Sequence, residues 1–197
     1  MDTTLPPLLV IVSGKPATGK TTLATRLAAD LALPLFTKDG VKEALFDAMG
    51  VGDRAWSRRL GAGSMATLYH ITATLLAARV SLMVEANFRP EMRAPLYGAL
   101  AERTGARVAQ VWLSAPLDTL LRRFEARAAT AGRHPGHVEQ ANMAEFRALL
   151  AAEDTPLPLA GALFTVDTTD FAALRYAELL AALRLARAGA GEADRSS

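Results

Sequence analysis

The sequence predicts an α/β fold in which a five-stranded parallel sheet carries helices on both faces. Short apolar segments rich in branched residues alternate with longer segments whose apolar residues recur every three or four positions, the pattern of successive strand–helix units. The first unit is interrupted by residues 14–21, which fit G-x-x-x-x-G-K-[ST] at every fixed position. Strand, glycine-rich loop and helix together are typical of a phosphate-binding loop.

The remaining elements follow in order, with glycine or proline near most helix ends. The predicted strands are 8–12, 35–37, 80–84, 107–113 and 162–166. The predicted helices are 22–31, 41–49, 64–79, 91–103, 117–131, 138–152 and 171–187. Residues 50–63 are polar and punctuated by glycine, and we expect a loop there with one helical turn at most. We expect one domain over 1–187 and a disordered tail over 188–197.

The amino-acid composition limits the classes of protein to which this chain can belong. A hydrophobic content of 51% in 197 residues is enough for a globular core, and a net charge of +2 does not indicate a strongly polyanionic partner. The absence of cysteine excludes disulfides and cysteine nucleophiles. No signal peptide or membrane-spanning segment is predicted, so we expect a cytoplasmic enzyme.

The glycine-rich loop predicts a nucleotide site. Gly14 and Gly19 allow backbone N–H groups to turn inward around an anion at the start of a helix. We expect Lys20 to face solvent and reach the β- and γ-phosphates, and Thr21 to bind Mg²⁺. Lys15 is interpreted as a solvated, variable position. The predicted nucleotide-binding residues are Gly14, Lys15, Pro16, Ala17, Thr18, Gly19, Lys20, Thr21 and Thr22.

Polar side chains follow two further predicted strands. Asp39 comes just after strand 35–37, and Glu85 and Asn87 come just after strand 80–84. In doubly wound sheets such positions face the ligand crevice, so these side chains are candidate site residues.

Arginines mark the fourth unit of the chain. Arg123 and Arg127 are four positions apart and share a face of their helix. The following segment, 130–137, has the glycine, proline and histidine content of a mobile lid. Its two histidines lack a nearby third ligand, which makes a metal site there an unfavoured interpretation.

These motifs together resemble the P-loop small-molecule kinases related to the 5′-hydroxyl polynucleotide kinase domain, chloramphenicol phosphotransferase and zeta toxin. The resemblance runs from residue 8 to about 170 and rests on the following segments: Gly14 to Thr22, Lys38-Asp39, Glu85-Ala86-Asn87-Phe88-Arg89-Pro90-Glu91, Arg123-x-x-x-Arg127 and Arg133-His134-Pro135-Gly136-His137. It implies a P-loop NTPase three-layer sandwich with strand order 2-3-1-4-5 and an arginine-bearing lid. It also implies transfer of the γ-phosphoryl group of ATP to a hydroxyl, with Mg²⁺.

The resemblance also implies roles. Asp39 would accept the proton of the acceptor hydroxyl, and Lys20, Arg123 and Arg127 would stabilise the transferred phosphoryl group, with Arg123 also contacting ATP. Glu85 stands where the family usually has aspartate, which leaves open whether it serves Mg²⁺ or the acceptor, or pairs with Lys38 or Arg89. The predicted acceptor-binding residues are Asp39, Glu85, Asn87, Arg89 and Arg133, and the predicted metal ligands are Thr21 and Glu85.

Two other classes stay open beside a small-molecule kinase. A polynucleotide kinase would need a basic groove with aromatic residues, for which Arg54, Arg58 and Arg59 beside Trp56 are the one candidate patch. A non-catalytic nucleotide-binding regulator would keep the loop without the base. We expect a monomer or a homodimer, and the sequence leaves the acceptor and the choice between ATP and GTP open.

Overall fold

The structure, a computed structural model, describes residues 5–128, 134–137 and 143–189. Strands and α-helices alternate along most of this part of the chain. The strands are β1 (Leu8–Gly14), β2 (Leu35–Thr37), β3 (Leu82–Glu85), β4 (Arg107–Ser114) and β5 (Ala162–Asp167). The α-helices are α1 (Lys20–Leu31), α2 (Lys38–Met49), α3 (Arg54–Ala77), α4 (Pro90–Thr104), α5 (Leu117–Ala128), α6 (Met143–Ala151) and α7 (Tyr176–Ala188). Short 3₁₀ helices lie at Pro135–His137 and Phe171–Ala173.

The five strands form one sheet in the order β2-β3-β1-β4-β5, and every neighbouring pair is parallel. This confirms the predicted α/β fold and its strand order. Because all strands run the same way, their carboxyl ends meet at one edge of the sheet, where the loops after β1, β2 and β3 come together.

Two apolar cores cover the two faces of the sheet. Alternate residues of the central strand β1 point to opposite faces, so Leu8, Val10 and Val12 join the core under α1 and α7, whereas Leu9 and Ile11 join the core under α3 and α4. All five side chains are buried. Burial on both faces explains why β1 reads as a continuous apolar run.

Helix α3 departs from the prediction, because residues 50–63 were expected to form a loop and α3 already begins at Arg54. Asp53 caps it by accepting a hydrogen bond from the Trp56 N–H at 2.8 Å. The buried positions of α3 recur along one stripe in which serine and threonine alternate with leucine. Ser64 and Thr72 each donate to the carbonyl four residues earlier, which satisfies their hydroxyls inside the core.

Helix α2 also begins earlier than predicted. Residues 38–40 lie between the predicted strand 35–37 and the predicted helix 41–49, but they form the first turn of α2, and the Thr37 hydroxyl caps it by accepting from the Gly40 N–H at 2.9 Å. Asp39 therefore sits on a capped helix instead of a free turn. At the other end of the chain, residues 190–197 of the predicted tail lie outside the described residues, as do residues 130–133 of the predicted lid.

Candidate active site

A cavity of about 660 Å³ opens at the carboxyl edge of the sheet. It lies between the phosphate-loop segment, the first turns of α2 and α3, the residues after β3, and α5. Twelve predicted site residues line it, namely Pro16, Ala17, Gly19, Lys20, Thr21, Thr22, Asp39, Glu85, Asn87, Arg89, Arg123 and Arg127. Gly14, Lys15 and Thr18 belong to the same loop but are not on the cavity walls, and Arg133 lies outside the described residues.

The loop between β1 and α1 needs its two glycines. Gly14 has φ +136°, and a Cβ there would lie 2.2 Å from the carbonyl oxygen of Leu113 on β4. Gly19 has φ +84°, and a Cβ there would lie 2.6 Å from the ring of Phe171. Helix α1 then begins at Lys20 without a side-chain cap. Its first N–H groups are therefore suited to bind an anion such as a phosphate.

The two lysines of this loop differ from the prediction. Lys20, expected to face solvent, is only 7% exposed, and its ammonium donates to the Lys15 carbonyl at 2.8 Å. Burial lowers the pKa of Lys20, and the nearby Glu85 carboxylate opposes that shift. Lys15 is not a solvated side chain either, because its ammonium donates to the Leu150 carbonyl on α6 at 2.7 Å. The loop is thus tied to the helix that follows the predicted lid.

Thr21 and Glu85 meet at the base of the cavity. The Thr21 hydroxyl donates to Oε2 of Glu85 at 3.0 Å, which joins the start of α1 to the end of β3. Glu85 is 5% exposed, and burial raises its pKa, while the positive charge of Lys20 opposes the shift. The exposed Thr21 hydroxyl and the buried Glu85 carboxylate supply oxygen ligands, the type that Mg²⁺ prefers.

Asp39 lies in the first turn of α2, on the cavity wall. The Lys38 ammonium donates to its Oδ1 at 3.0 Å, and the two side chains are about 25% and 38% exposed. Asp39 is therefore accessible to a molecule in the cavity. The predicted residues Asn87 and Arg89 line the same cavity, and both are exposed.

Arg123 and Arg127 both reach the cavity from α5, as their shared helix face predicts. Arg123 donates to the carbonyls of Thr168 and Thr169, at 2.6 and 3.2 Å, just beyond the carboxyl end of β5. The guanidinium of Arg127 lies 5.3 Å from the ring centroid of Phe124. Their position beside the loop suits contact with a bound phosphate chain.

The described residues that line the cavity include nine that were not among the predicted site residues: Thr37, Lys38, Gly40, Lys42, Glu43, Arg54, Ala86, His137 and Leu149. Lys42 and Glu43 lie one turn beyond Asp39 on α2, and this spacing was the signal that could have identified them. Oε1 of Glu43 lies 2.7 Å from Nε2 of His137, and Lys42 donates to the Ser57 hydroxyl at 2.8 Å. Arg54 is the first residue of α3 and lines the cavity from there, in a segment that was predicted to be a loop.

The described residues contain no cluster of three or more His, Cys, Asp or Glu side chains that could hold a metal ion by themselves. Within the same residues, no helix has the length and apolar character needed to cross a membrane. A metal ion bound in this cavity would need oxygen ligands from a substrate as well as from the protein, as is usual for Mg²⁺ in phosphoryl transfer.

Comparisons with known proteins support the α/β fold and the assignment of a phosphate-binding loop. A family model described as an AAA domain matches residues 9–152. The chain belongs to this family. It is also similar to a candidate kinase from Chloroflexus aurantiacus J-10-fl, with 40% sequence identity over 91% of this chain and 98% of that chain and a TM-score of 0.85.

A sugar kinase from a Janibacter species is 18% identical over 94% of this chain and 96% of that chain, with a TM-score of 0.54. Similarity at that level shows the fold alone. No curated protein matches the sequence significantly. These findings support a P-loop, kinase-like family, and the narrower likeness to polynucleotide kinase, chloramphenicol phosphotransferase and zeta toxin stays a prediction from the motifs.

Proposed function

We propose that this protein is a small-molecule kinase that transfers the γ-phosphoryl group of ATP to a hydroxyl of its acceptor. The observation that carries the proposal is the shared cavity, in which a phosphate loop, the Asp39 carboxylate and two guanidiniums line the same walls. Phosphoryl transfer needs these three parts, because catalysis depends on positioning the reactants and stabilising charge. The 40% identical candidate kinase supports the same class of activity.

The residues at the base of the cavity fit Mg²⁺. The Thr21 hydroxyl and the Glu85 carboxylate offer two oxygen ligands 3.0 Å apart, and a cation would offset the cost of keeping Glu85 charged in a buried position. Thr21 and Glu85 would hold the ion together with phosphate oxygens. When bound, Mg²⁺ neutralises part of the charge on the β- and γ-phosphates.

The remaining residues have separate tasks in the proposed reaction. Asp39 orients the acceptor hydroxyl and accepts its proton as the oxygen forms a bond to the γ-phosphorus. The bond between that phosphorus and the oxygen bridging to the β-phosphate breaks, and ADP leaves. Lys20, Arg123 and Arg127 stabilise the negative charge on the transferred group and the leaving oxygen.

The test is a transfer assay with γ-labelled ATP and Mg²⁺, offering hydroxylated small molecules beside 5′-hydroxyl DNA and RNA oligonucleotides. Asp39→Asn is expected to lower transfer about 10²- to 10⁴-fold, since a general base contributes that much, and to retain binding of an ATP analogue. Asp118→Asn, which neutralises an exposed carboxylate on α5 outside the cavity, is the matched control.

The outcomes separate the three classes. Transfer to a small molecule that requires Asp39 supports the proposal, and unchanged turnover in Asp39→Asn would assign the base to another residue. Label on the oligonucleotides alone would favour a polynucleotide kinase, with the exposed Arg58 and Arg59 of α3 as its candidate contacts. Tight ATP binding without transfer to any acceptor would favour a non-catalytic nucleotide-binding protein.

A further inference from the structure

Two carboxylates of α2 line the cavity one helical turn apart. Asp39, the proposed base, lies in the first turn of the helix, and Glu43 follows four residues later. Side chains four positions apart on a helix are neighbours on one face, with Cβ atoms about 5–6 Å apart. We call the cavity-lining residues of α2, the start of α3, the segment after β3 and His137 the acceptor half. A molecule whose hydroxyl meets Asp39 in this half therefore lies beside Glu43.

Glu43 is held by a buried imidazole. Its Oε1 lies 2.7 Å from Nε2 of His137, and an ionised carboxylate only accepts hydrogen bonds, so Nε2 carries the proton and donates. The side chain of His137 is 6% exposed and that of Glu43 is 36% exposed. The contact thus fixes the carboxylate from inside the protein and leaves part of the Glu43 side chain accessible from the cavity.

The segment that carries His137 is itself fixed against α2 and α3. The carbonyl of Gly136 accepts from the Ser57 hydroxyl at 3.0 Å, and its N–H donates to Nδ1 of His134 at 3.1 Å. The His134 ring stacks on Phe46 of α2, with the ring centroids 5.4 Å apart. The imidazole that holds Glu43 is therefore kept in place by both packing and hydrogen bonds, as precise placement of a ligand-binding group requires.

The next carboxylate along α2 provides a natural comparison. Asp47, four residues beyond Glu43, also meets a histidine, because its Oδ1 lies 3.1 Å from Nε2 of His134. Its side chain is 74% exposed, however, and lies outside the cavity. Two similar carboxylate–histidine pairs thus stand on one helix, and the pair of Glu43 and His137 is the one that borders the proposed reaction.

We propose that Glu43 determines acceptor specificity by accepting a hydrogen bond from a second hydroxyl of the acceptor, close to the hydroxyl that Asp39 deprotonates. The acceptor is then a polyol, and His137 is a positioning residue that orients Glu43. The inference rests on the proposed kinase function and names the class of its acceptor. Because lysine and arginine side chains also line the cavity, an ammonium donor in the same place would meet repulsion that a neutral hydroxyl does not.

The first experiment compares acceptors that differ by one hydroxyl. Pentoses, hexoses and the corresponding alditols are offered with Mg²⁺ and γ-labelled ATP, and the best acceptor among them is compared with its monodeoxy derivatives. At least one derivative that keeps the phosphorylated hydroxyl is expected to have a kcat/KM at least about tenfold lower, since a hydrogen bond to a charged group is lost.

Glu43→Ala is expected to raise the KM for the best polyol at least about tenfold and to leave the KM for ATP unchanged. The variant should use the poor monodeoxy derivative as well as the wild type does, because that derivative never makes the lost contact. A merely structural role of Glu43 would lower turnover of both acceptors alike. Asp47→Ala, which removes the other carboxylate–histidine pair of α2, is the matched control and should leave both acceptors unchanged.

Two variants test His137. His137→Gln can keep an amide N–H donor for Glu43, whereas His137→Phe keeps a ring without one. We expect the phenylalanine variant to raise the KM for the polyol and the glutamine variant to restore it at least in part. In a Glu43→Ala background, His137→Phe should cause no further rise. A further rise there, in a variant whose melting temperature is unchanged, would show that His137 does not act through Glu43.

The results distinguish two failures. If the wild type binds an ATP analogue but no polyol is preferred to its monodeoxy derivatives, or if Glu43→Ala leaves that preference intact, the inference is wrong while the kinase function stands. Transfer to monohydroxyl alcohols, amino alcohols or oligonucleotides in preference to every polyol would also overturn it. If the ATP analogue itself does not bind, the proposed function fails and the inference fails with it.

Discussion

The two halves of the cavity are built in different ways. The donor half consists of the loop from Gly14 to Thr22, the carboxylate of Glu85 and the two arginines of α5, and most of it lies in nine consecutive residues. The acceptor half gathers side chains from α2, α3, the segment after β3 and His137, which are far apart in sequence. A site built from one segment leaves a pattern in the sequence, whereas a site built from four does not.

Two buried lysines show the same contrast. Lys20 in the donor half is 7% exposed and donates within its own loop, to the Lys15 carbonyl at 2.8 Å. Lys42 in the acceptor half is 5% exposed and donates to Ser57 on α3, whose hydroxyl donates in turn to the Gly136 carbonyl at 3.0 Å. The geometry of the donor half is therefore set locally, while that of the acceptor half depends on contacts between three elements.

After that of Asp39→Asn, the largest expected effect tests the donor half. Glu85→Gln keeps the size of the side chain but removes a charged oxygen ligand, and we expect transfer to fall about 10²-fold, as for loss of one electrostatic contact to the transition state. The Mg²⁺ concentration for half-maximal activity should rise, while the KM for the acceptor should not change. Glu91→Gln, an exposed carboxylate outside the cavity, is the control. A change in the acceptor KM alone would assign Glu85 to the acceptor.

The same variant has an expected pH signature. Burial raises the pKa of Glu85 above its ordinary value of 4.5, so in the range between the two values the folded state holds more protons than the unfolded state. The free energy of unfolding therefore falls as pH rises through this range. In Glu85→Gln the free energy of unfolding does not fall in this way. Without ligands, the variant should therefore melt at a higher temperature than the wild type at neutral pH. The difference in melting temperature should vanish at about pH 4. A lower melting temperature would mean that attraction to Lys20 outweighs burial.

The fold could be predicted from the sequence because its signals are local. The apolar run of β1 and the helical spacing of Leu23, Leu27 and Leu31 follow from burial on both faces of a strand and one face of a helix. The extent of α3 could not be predicted in this way. Gly61 and Gly63 disfavour a helix by about 1 kcal/mol each relative to alanine, and tertiary contacts of buried Leu60 and Leu68 override that cost.

The candidate site could be predicted from the sequence about as well as the fold. Motif spacing identified the phosphate loop, the predicted strand ends identified Asp39 and Glu85, and the resemblance added Arg123 and Arg127. Except for Gly14, Lys15 and Thr18 of the loop, these residues line one cavity. Motif spacing could not place Arg54, because that required knowing where α3 starts, nor predict that Lys20 would be buried by its surroundings. Whether these residues carry the roles that the resemblance implies stays a prediction until variants are assayed.

A smaller effect is expected within the acceptor half, where Gly136 and His137 pack against α2. A Cβ on Gly136 would lie 2.4 Å from the ring of Phe46, which is itself buried. Gly136→Ala should therefore displace His137 from Glu43, at a cost of about 1–3 kcal/mol for an overfilled core. We expect the acceptor KM to rise about tenfold while the affinity for an ATP analogue is unchanged.

The matched control for this variant is Gly63→Ala, because a Cβ on that exposed glycine of α3 would meet no atom within 4 Å. It should leave both constants unchanged and raise the melting temperature slightly, since alanine favours a helix interior. If Gly136→Ala weakens binding of the ATP analogue as much as that of the acceptor, the two halves are coupled and the contrast between them fails.

The smallest expected effect tests the start of α3, which brings Arg54 into the acceptor half. Asp53→Ala removes the acceptor for the Trp56 N–H, and loss of such a cap costs about 1 kcal/mol, or roughly 2–4 °C in melting temperature for a chain of this size. Asp53→Asn keeps an oxygen that can cap the helix and should melt like the wild type. Faster hydrogen exchange at Trp56 and Ser57 in the alanine variant would show that the first turn of α3 has loosened. Equal melting and equal exchange in all three proteins would mean that this cap does not define the helix start, and that Arg54 is held in the acceptor half by its other contacts.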